Sequence, residues 1–223
     1  MSTVSEGRPK RMSPAAAADI LARRDPVLAA LIAAAGPIRI SRRGTASHFA
    51  ALVEAIVYQQ LAGAAARAIH GRLVAALDDD VEPEALLALS DETLRAVGLS
   101  ANKARSLRDL ATKVLEGTVV LSPRALSRQS DEQVIASLST VRGIGPWSSQ
   151  MFLMFRLRRL DVWPVGDFGV RQGYGLAWKV PTPTPRELEP LGEPYRPYRT
   201  VVAWYCWRAV ELYAGAAESA LTR

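Results

Sequence analysis

One cysteine, Cys206, stands in a chain of 223 residues, so no disulfide can form within it. With only two histidines, His48 and His70, beside it, a four-thiolate zinc or iron–sulfur site is excluded and no metal-ligand set is expected. Nothing pairs either histidine with a serine or with Cys206, which reads as a buried, inert thiol among apolar neighbours. Long hydrophobic runs are also missing. The longest, such as Val27 to Ala35, are too short to cross a bilayer. Met1 to Arg11 is polar and basic with no apolar core behind it, unlike a secretory signal. The expectation is a cytoplasmic protein without membrane contact. Negative charge is the minority: 22 acidic against 28 basic residues leave a net +6. Such an excess suits a polyanionic partner such as nucleic acid, though many basic proteins bind none.

What is present is helical punctuation. Residues 1–12 read as a disordered basic tail, and 13–223 are enough for one domain with a sizeable core or two small lobes. Ser13-Pro14 and Asp25-Pro26 each place a capping side chain before a proline at the first helical position. They open Ala15 to Arg24 and an apolar helix that Gly36 closes. Ile38 to Ile40 is extended, and Arg42-Arg43-Gly44 is a basic turn. Phe49, Leu52, Val53, Ile56 and Val57 have the spacing of one buried helical face. That helix breaks at Gln59-Gln60-Leu61, leaving Gln60 and Leu61 partly exposed, and a new helix carries Ile69, Leu73 and Leu77 inward. Ser90 and Ser100 cap further helices, the second turning Leu107, Leu110 and Val114 inward. Ser130 and Gln133 have capping-box spacing. Trp147 to Leu157 is helical with a basic end at Arg156, Arg158 and Arg159; Asp167 begins another helix; the proline-rich stretch 181–197 is an extended connection; and Tyr198 to Tyr213 is a last helix bearing Trp204 and Trp207 on one side. The total is about ten helices and no strand pair, an all-α chain without internal repeats.

The stretch from Leu138 to Gln150 organises the rest. It reads as a helix end, a glycine turn at Gly143-Ile144-Gly145, and a helix start at Pro146. Gly143 and Gly145 are both expected in backbone conformations closed to other residues, leaving amides exposed at a helix N-terminus. That is an anion site whose natural ligand is a phosphate, although an ordinary helix–helix turn fits the same residues.

Gly143-Ile144-Gly145-Pro146-Trp147-Ser148-Ser149, followed one helix later by Pro164-Val165-Gly166-Asp167, resembles the helix-hairpin-helix DNA glycosylase superfamily. Within it the chain is similar to the 3-methyladenine DNA glycosylase II family. Ala55 to Leu61, Leu94 to Ser100 with Lys103-Ala104, and Arg196 to Thr200 with Ala203-Trp204-Tyr205 agree in order, so the likeness covers residues 25–213. It implies an all-helical fold of two lobes with the active cleft between them. The best-known members carry an extra N-terminal sheet domain that residues 1–25 cannot supply, so the compact form is expected, with a more open pocket.

The resemblance also implies roles. The amides of Gly143, Gly145 and Ser148 would bind the DNA backbone, a contact that positions without reading sequence. A monovalent cation, sodium or potassium, would sit on carbonyls near Ser139, Val141 and Gly143; no other cofactor is implied. Asp167 would be the catalytic carboxylate. On the residues alone it reads first as a helix cap, and the two roles are compatible. Trp147, Met151 and Trp207 would line the base pocket, where core packing is the plainer alternative. Leu61 would fill the gap left by an everted nucleotide, and Gln60 would contact the opposite strand or neighbouring bases; Leu61 reads equally as a core leucine. Bifunctional members carry a lysine where this chain has Trp147, so water is the expected nucleophile. The implied activity is excision of alkylated purines such as 3-methyladenine and 7-methylguanine from double-stranded DNA, leaving an abasic site, by a nucleoid-associated monomer with no protein partner. Two alternatives stand beside it: a glycosylase for hypoxanthine or ethenoadenine, and a module that binds damaged DNA without cutting.

Overall fold

A computed structural model describes residues 12–40 and 46–221, with side chains as far as 213. Apart from Met12, the tail expected at 1–12 lies outside these residues, as does Arg42-Arg43-Gly44. Among the described residues there is no strand. The helices in order are α1 (Pro14–Arg24), α2 (Pro26–Ala35), α3 (His48–Tyr58), α4 (Gly63–Ala76), α5 (Pro83–Ala88), α6 (Asp91–Ala96), α7 (Ala101–Leu115), α8 (Pro123–Leu126), α9 (Asp131–Leu138), α10 (Pro146–Met151), α11 (Phe168–Trp178), α12 (Pro185–Leu191) and α13 (Arg199–Leu221). No helix among them is long and apolar enough to cross a membrane.

The starts of these helices follow from local side-chain chemistry. Ser13 Oγ accepts the Ala16 amide, Asp25 Oδ1 those of Val27 and Leu28, and Ser90 and Ser100 Oγ those of Thr93 and Lys103. Ser130 and Gln133 form the reciprocal capping box their spacing announced. Each such cap satisfies an amide that no helical carbonyl can reach.

The chain divides into two compact units, one of Met1–Ser41 with Arg159–Arg223 and one of Arg42–Arg158. In the first, α1, α2, α11 and α13 enclose Leu21, Leu28, Leu31 and Tyr205. A Cβ on Gly173 would lie 1.8 Å from the Cys206 carbonyl oxygen, so only glycine lets α11 meet the α13 backbone here. In the second unit α3 buries Phe49, Leu52, Val53, Ile56 and Val57, as their spacing predicted. Burying side chains of this kind contributes roughly 1.5–3 kcal/mol each before entropy is charged against it. Two neighbours differ from expectation. Ile69 and Val114 are only half-buried; on α4 the small Ala66 takes the inward position with Leu73.

The largest departure is the proline-rich stretch 181–197, which is not extended. It holds α12 and a 3-10 turn at Glu193–Tyr195. Thr184 Oγ1 accepts the Glu187 amide, the Glu187 carboxylate accepts the Thr184 amide, and Pro185 takes the first helical position. The Trp163 indole donates to the Leu188 carbonyl at 2.9 Å and lies against Gly192, pinning the segment. Prolines at the start of a helix are permissive, so their density here does not prevent α12.

Candidate functional site

The second unit presents the glycine hairpin. α9 ends at Leu138, and Ile144 N–H donates to Val141 O at 3.0 Å, closing the turn. Gly143 has φ +77°, a left-handed conformation, and a Cβ there would meet Ser106 Oγ at 2.8 Å. Gly145 corrects the expectation: its φ of −102° and ψ of −179° are extended backbone open to any residue. A Cβ on Gly145 would meet nothing within 4 Å, so its side is open space and not a steric necessity. No side chain caps α10, and the amides of Gly143, Gly145 and Ser148 meet no backbone acceptor among the described residues. After one turn the helix widens into a π-turn at Phe152–Arg156 rather than continuing regularly to Leu157.

Beside the hairpin lies the break between α3 and α4. Lys103 Nζ donates to Val57 O at 2.6 Å in the last turn of α3, and burial draws its ammonium below the ordinary lysine pKa. Gln59 Nε2 donates to Gly143 O at 3.0 Å, tying this break to the hairpin. Gln60 is exposed with φ +55°, a conformation non-glycine residues rarely adopt and one that collects at functional sites. Leu61, next in line, is 37% exposed and therefore not a core leucine.

A pocket of about 650 Å³ in this unit is walled by Tyr58, Gln60, Gly143, Trp147, Ser148, Met151 and Phe155, among others. Five of the residues singled out by sequence thus share one wall. Trp147 is 50% exposed, which rules out plain core packing for it.

The first unit carries the aspartate. Asp167 caps α11: its Oδ1 accepts the Val170 amide at 2.8 Å and the Trp207 indole N–H at 2.9 Å. Trp207 reaches it because Gly169 lacks a side chain; a Cβ there would lie 2.9 Å from the indole ring. The close α11–α13 crossing at Gly173 brings the two helices into register for this bond. This bond from Trp207 to the aspartate is one that no sequence spacing signalled, and Trp207 is not among the residues that wall the pocket above. Cys206 is fully buried, and burial together with the nearby Asp167 charge pushes its thiol well above the ordinary range. Phe168, beside the aspartate, is 61% exposed, and the Arg171 guanidinium lies over its ring at 5.4 Å.

Sequence reasoning missed Gln59, the capping by Lys103, and a polar face of α7 that meets the hairpin. All three are contacts across tens of residues, with no local pattern to mark them.

This arrangement has relatives. DNA-3-methyladenine glycosylase 1 of Schizosaccharomyces pombe is 35% identical over 164 residues, which cover 72% of this chain and 72% of that protein. The structure of the S. pombe 3-methyladenine DNA glycosylase in complex with abasic DNA matches with a TM-score of 0.75 at 31% identity, covering 88% of this chain and 97% of that one. The crystal structure of a DNA-3-methyladenine glycosidase from Bacillus halodurans matches with a TM-score of 0.81 at 33% identity, covering 89% and 91%. Residues 53–197, which run from α3 through the hairpin and the capping aspartate, match the family described as HhH-GPD superfamily base excision DNA repair protein. With the hairpin and the aspartate both falling inside that match, the chain belongs to the HhH-GPD superfamily.

Proposed function

We propose that this protein is a monofunctional DNA glycosylase that hydrolyses the N-glycosidic bond of alkylated, cationic purines such as 3-methyladenine and 7-methylguanine in duplex DNA. The observation that carries the reading is the Asp167 carboxylate, oriented by the Trp207 indole N–H and the Val170 amide. Both bonds hold the carboxylate in one orientation.

Cleaving the bond builds positive charge on the deoxyribose, as in other glycoside cleavages. A fixed carboxylate beside the sugar stabilises that charge and orients the water that attacks C1′. The base leaves with the bonding electron pair, which neutralises the charge that alkylation placed on its ring. Such a base needs no acid to help it depart, so one carboxylate suffices. Aromatic faces attract it before cleavage by roughly 0.5–2 kcal/mol per contact. Trp147, with Tyr58 and Phe155 in the same pocket wall, supplies such faces. Gln60 and Leu61 are assigned to the duplex, Leu61 as the apolar wedge that replaces the everted nucleotide. The open amides of Gly143, Gly145 and Ser148 are assigned to a backbone phosphate. Trp147 is no amine nucleophile, so attack on C1′ is assigned to water and strand cleavage through a Schiff base is not part of the reaction.

The hairpin also fits a sodium or potassium ion. The carbonyls of Ser139, Val141 and Gly143 are oxygen donors; Val141 and Gly143 each accept one hydrogen bond and keep a second lone pair. Ser139 Oγ beside them is buried without a partner. Bound there, the ion supplies positive charge toward a phosphate.

The test is release of 3-methyladenine and 7-methylguanine from methylated DNA, with Asp167→Asn as the comparison. Asparagine keeps the cap but not the charge, and base release should fall about 10²–10³-fold. Activity within tenfold of wild type would remove Asp167 from its role. A panel of single-lesion duplexes, including hypoxanthine and ethenoadenine, delimits the substrates. Borohydride trapping of a covalent complex would overturn the assignment to water.

A further inference from the structure

α7 is capped by Ser100 and buries Leu107, Leu110 and Ala111 on one side. Ser106, Asp109 and Lys113 recur at the spacing of a second face, and all three meet the hairpin turn. Asp109 Oδ2 accepts the Arg142 backbone amide at 2.7 Å. Lys113 Nζ donates to the Thr140 carbonyl at 2.7 Å and to both Asp109 oxygens, at 2.9 and 2.7 Å. Ser106 Oγ, turned back onto the Asn102 carbonyl, occupies the space where a Cβ of Gly143 would stand.

The turn between α9 and α10 is thus gripped on its donor side by a carboxylate and on its acceptor side by an ammonium. Those two groups are bonded to each other, so neither can yield alone. Burial works against the Asp109 charge, but the Lys113 ammonium and the Arg142 amide outweigh it and hold the carboxyl below its usual range.

We propose that Asp109 and Lys113 are positioning residues for DNA binding: they set the backbone of residues 140–143 so that the next amides of the hairpin present a preformed phosphate site. The proposal rests on the reading of the hairpin as the phosphate anchor. Its physical basis is preorganisation, since an amide array fixed before the ligand arrives loses no conformational entropy on binding. Neither side chain need touch DNA. The grip also explains the residue types. A carboxylate is the strongest acceptor for a lone amide, and a long flexible ammonium can serve a carboxylate and a carbonyl together.

The experiment uses the full-length protein and a duplex carrying a tetrahydrofuran abasic-site analogue. Dissociation constants, melting temperatures and hydrogen exchange over residues 138–150 are measured for Asp109→Ala, Asp109→Asn, Lys113→Ala and a hairpin variant, Gly145→Val. Losing a charged hydrogen bond of this kind should weaken duplex binding about tenfold in Asp109→Ala and somewhat less in Lys113→Ala. Asp109→Asn keeps an acceptor oxygen and should recover most of the affinity. Exchange should rise over Arg142 and its neighbours and nowhere else. If Asp109→Ala binds within about twofold of wild type while Gly145→Val binds weakly, the clamp is overturned and the hairpin reading stands. If Gly145→Val also binds normally, the hairpin reading falls and the clamp with it. If Asp109→Ala is too unstable to assay, Lys113→Ala decides: exchange raised only at the hairpin supports the clamp, and exchange unchanged there or raised throughout α7 and α9 overturns it.

Discussion

The hairpin and the capping aspartate solve opposite problems with opposite materials. The hairpin offers backbone amides, left open because no side chain caps α10 and because Gly145 faces empty space. The aspartate offers one side chain, fixed by an indole N–H from another helix at a crossing so close that Gly173 is obligatory. On the proposed reading the hairpin takes a phosphate, a large, solvated anion reached from outside, which suits an exposed site built from main chain. On the same reading the carboxylate stabilises a fleeting charge, which suits anchoring by tertiary contacts. Glycine serves both regions for different reasons: access at position 145, contact at position 173.

The same substitution at these two glycines breaks the comparison most sharply. Gly173→Val places a branched side chain into the Cys206 backbone and should destabilise the protein by about 3 kcal/mol or more, or prevent folding. Thermal melting reads the effect. Gly145→Val fits its extended backbone, so its melting temperature should not move while duplex affinity falls about tenfold, measured by anisotropy.

Next in size is Trp207→Phe, which keeps a ring but removes the N–H that orients Asp167. Single-turnover base release should slow by about tenfold with affinity for abasic duplex unchanged. An equal loss in both would make Trp207 a binding residue and blur the division of labour between the regions. Gln60→Gly relieves the left-handed backbone of the α3–α4 break. Stability should hold or rise by up to about 1 kcal/mol, while base release from a lesion duplex falls severalfold. The smallest effect concerns Cys206. Burial raises its thiol pKa and hides it from solvent, so a thiol reagent should label it only after denaturation, and Cys206→Ala should leave base release unchanged.

Much of the helical frame was legible because capping is local. Ser13, Asp25, Ser90, Ser100, Ser130 and Asp167 each bond an amide two or three residues on, within reach of any reading of the chain. The buried face of α3 was legible for the same reason, since helical periodicity is a short-range code. The misreadings share the opposite cause. Residues 181–197 carry a full capping box at Thr184, but six prolines obscured it, and the pin that holds the segment, Trp163, comes from outside it. The π-turn at Phe152–Arg156 left no mark in residue spacing.

By itself, then, the sequence determined an all-helical chain, the turn at Gly143, the cap at Asp167 and the absence of a lysine at position 147. Each follows from backbone and side-chain preferences acting within a few residues. Tertiary structure alone decided that Trp207 donates to Asp167, that Gln59 holds the hairpin carbonyl, that Asp109 takes the Arg142 amide, and that Gly145 is a matter of access and not of backbone freedom. Those contacts span 33 to 84 residues, and only folding sets which distant groups come within hydrogen-bond reach.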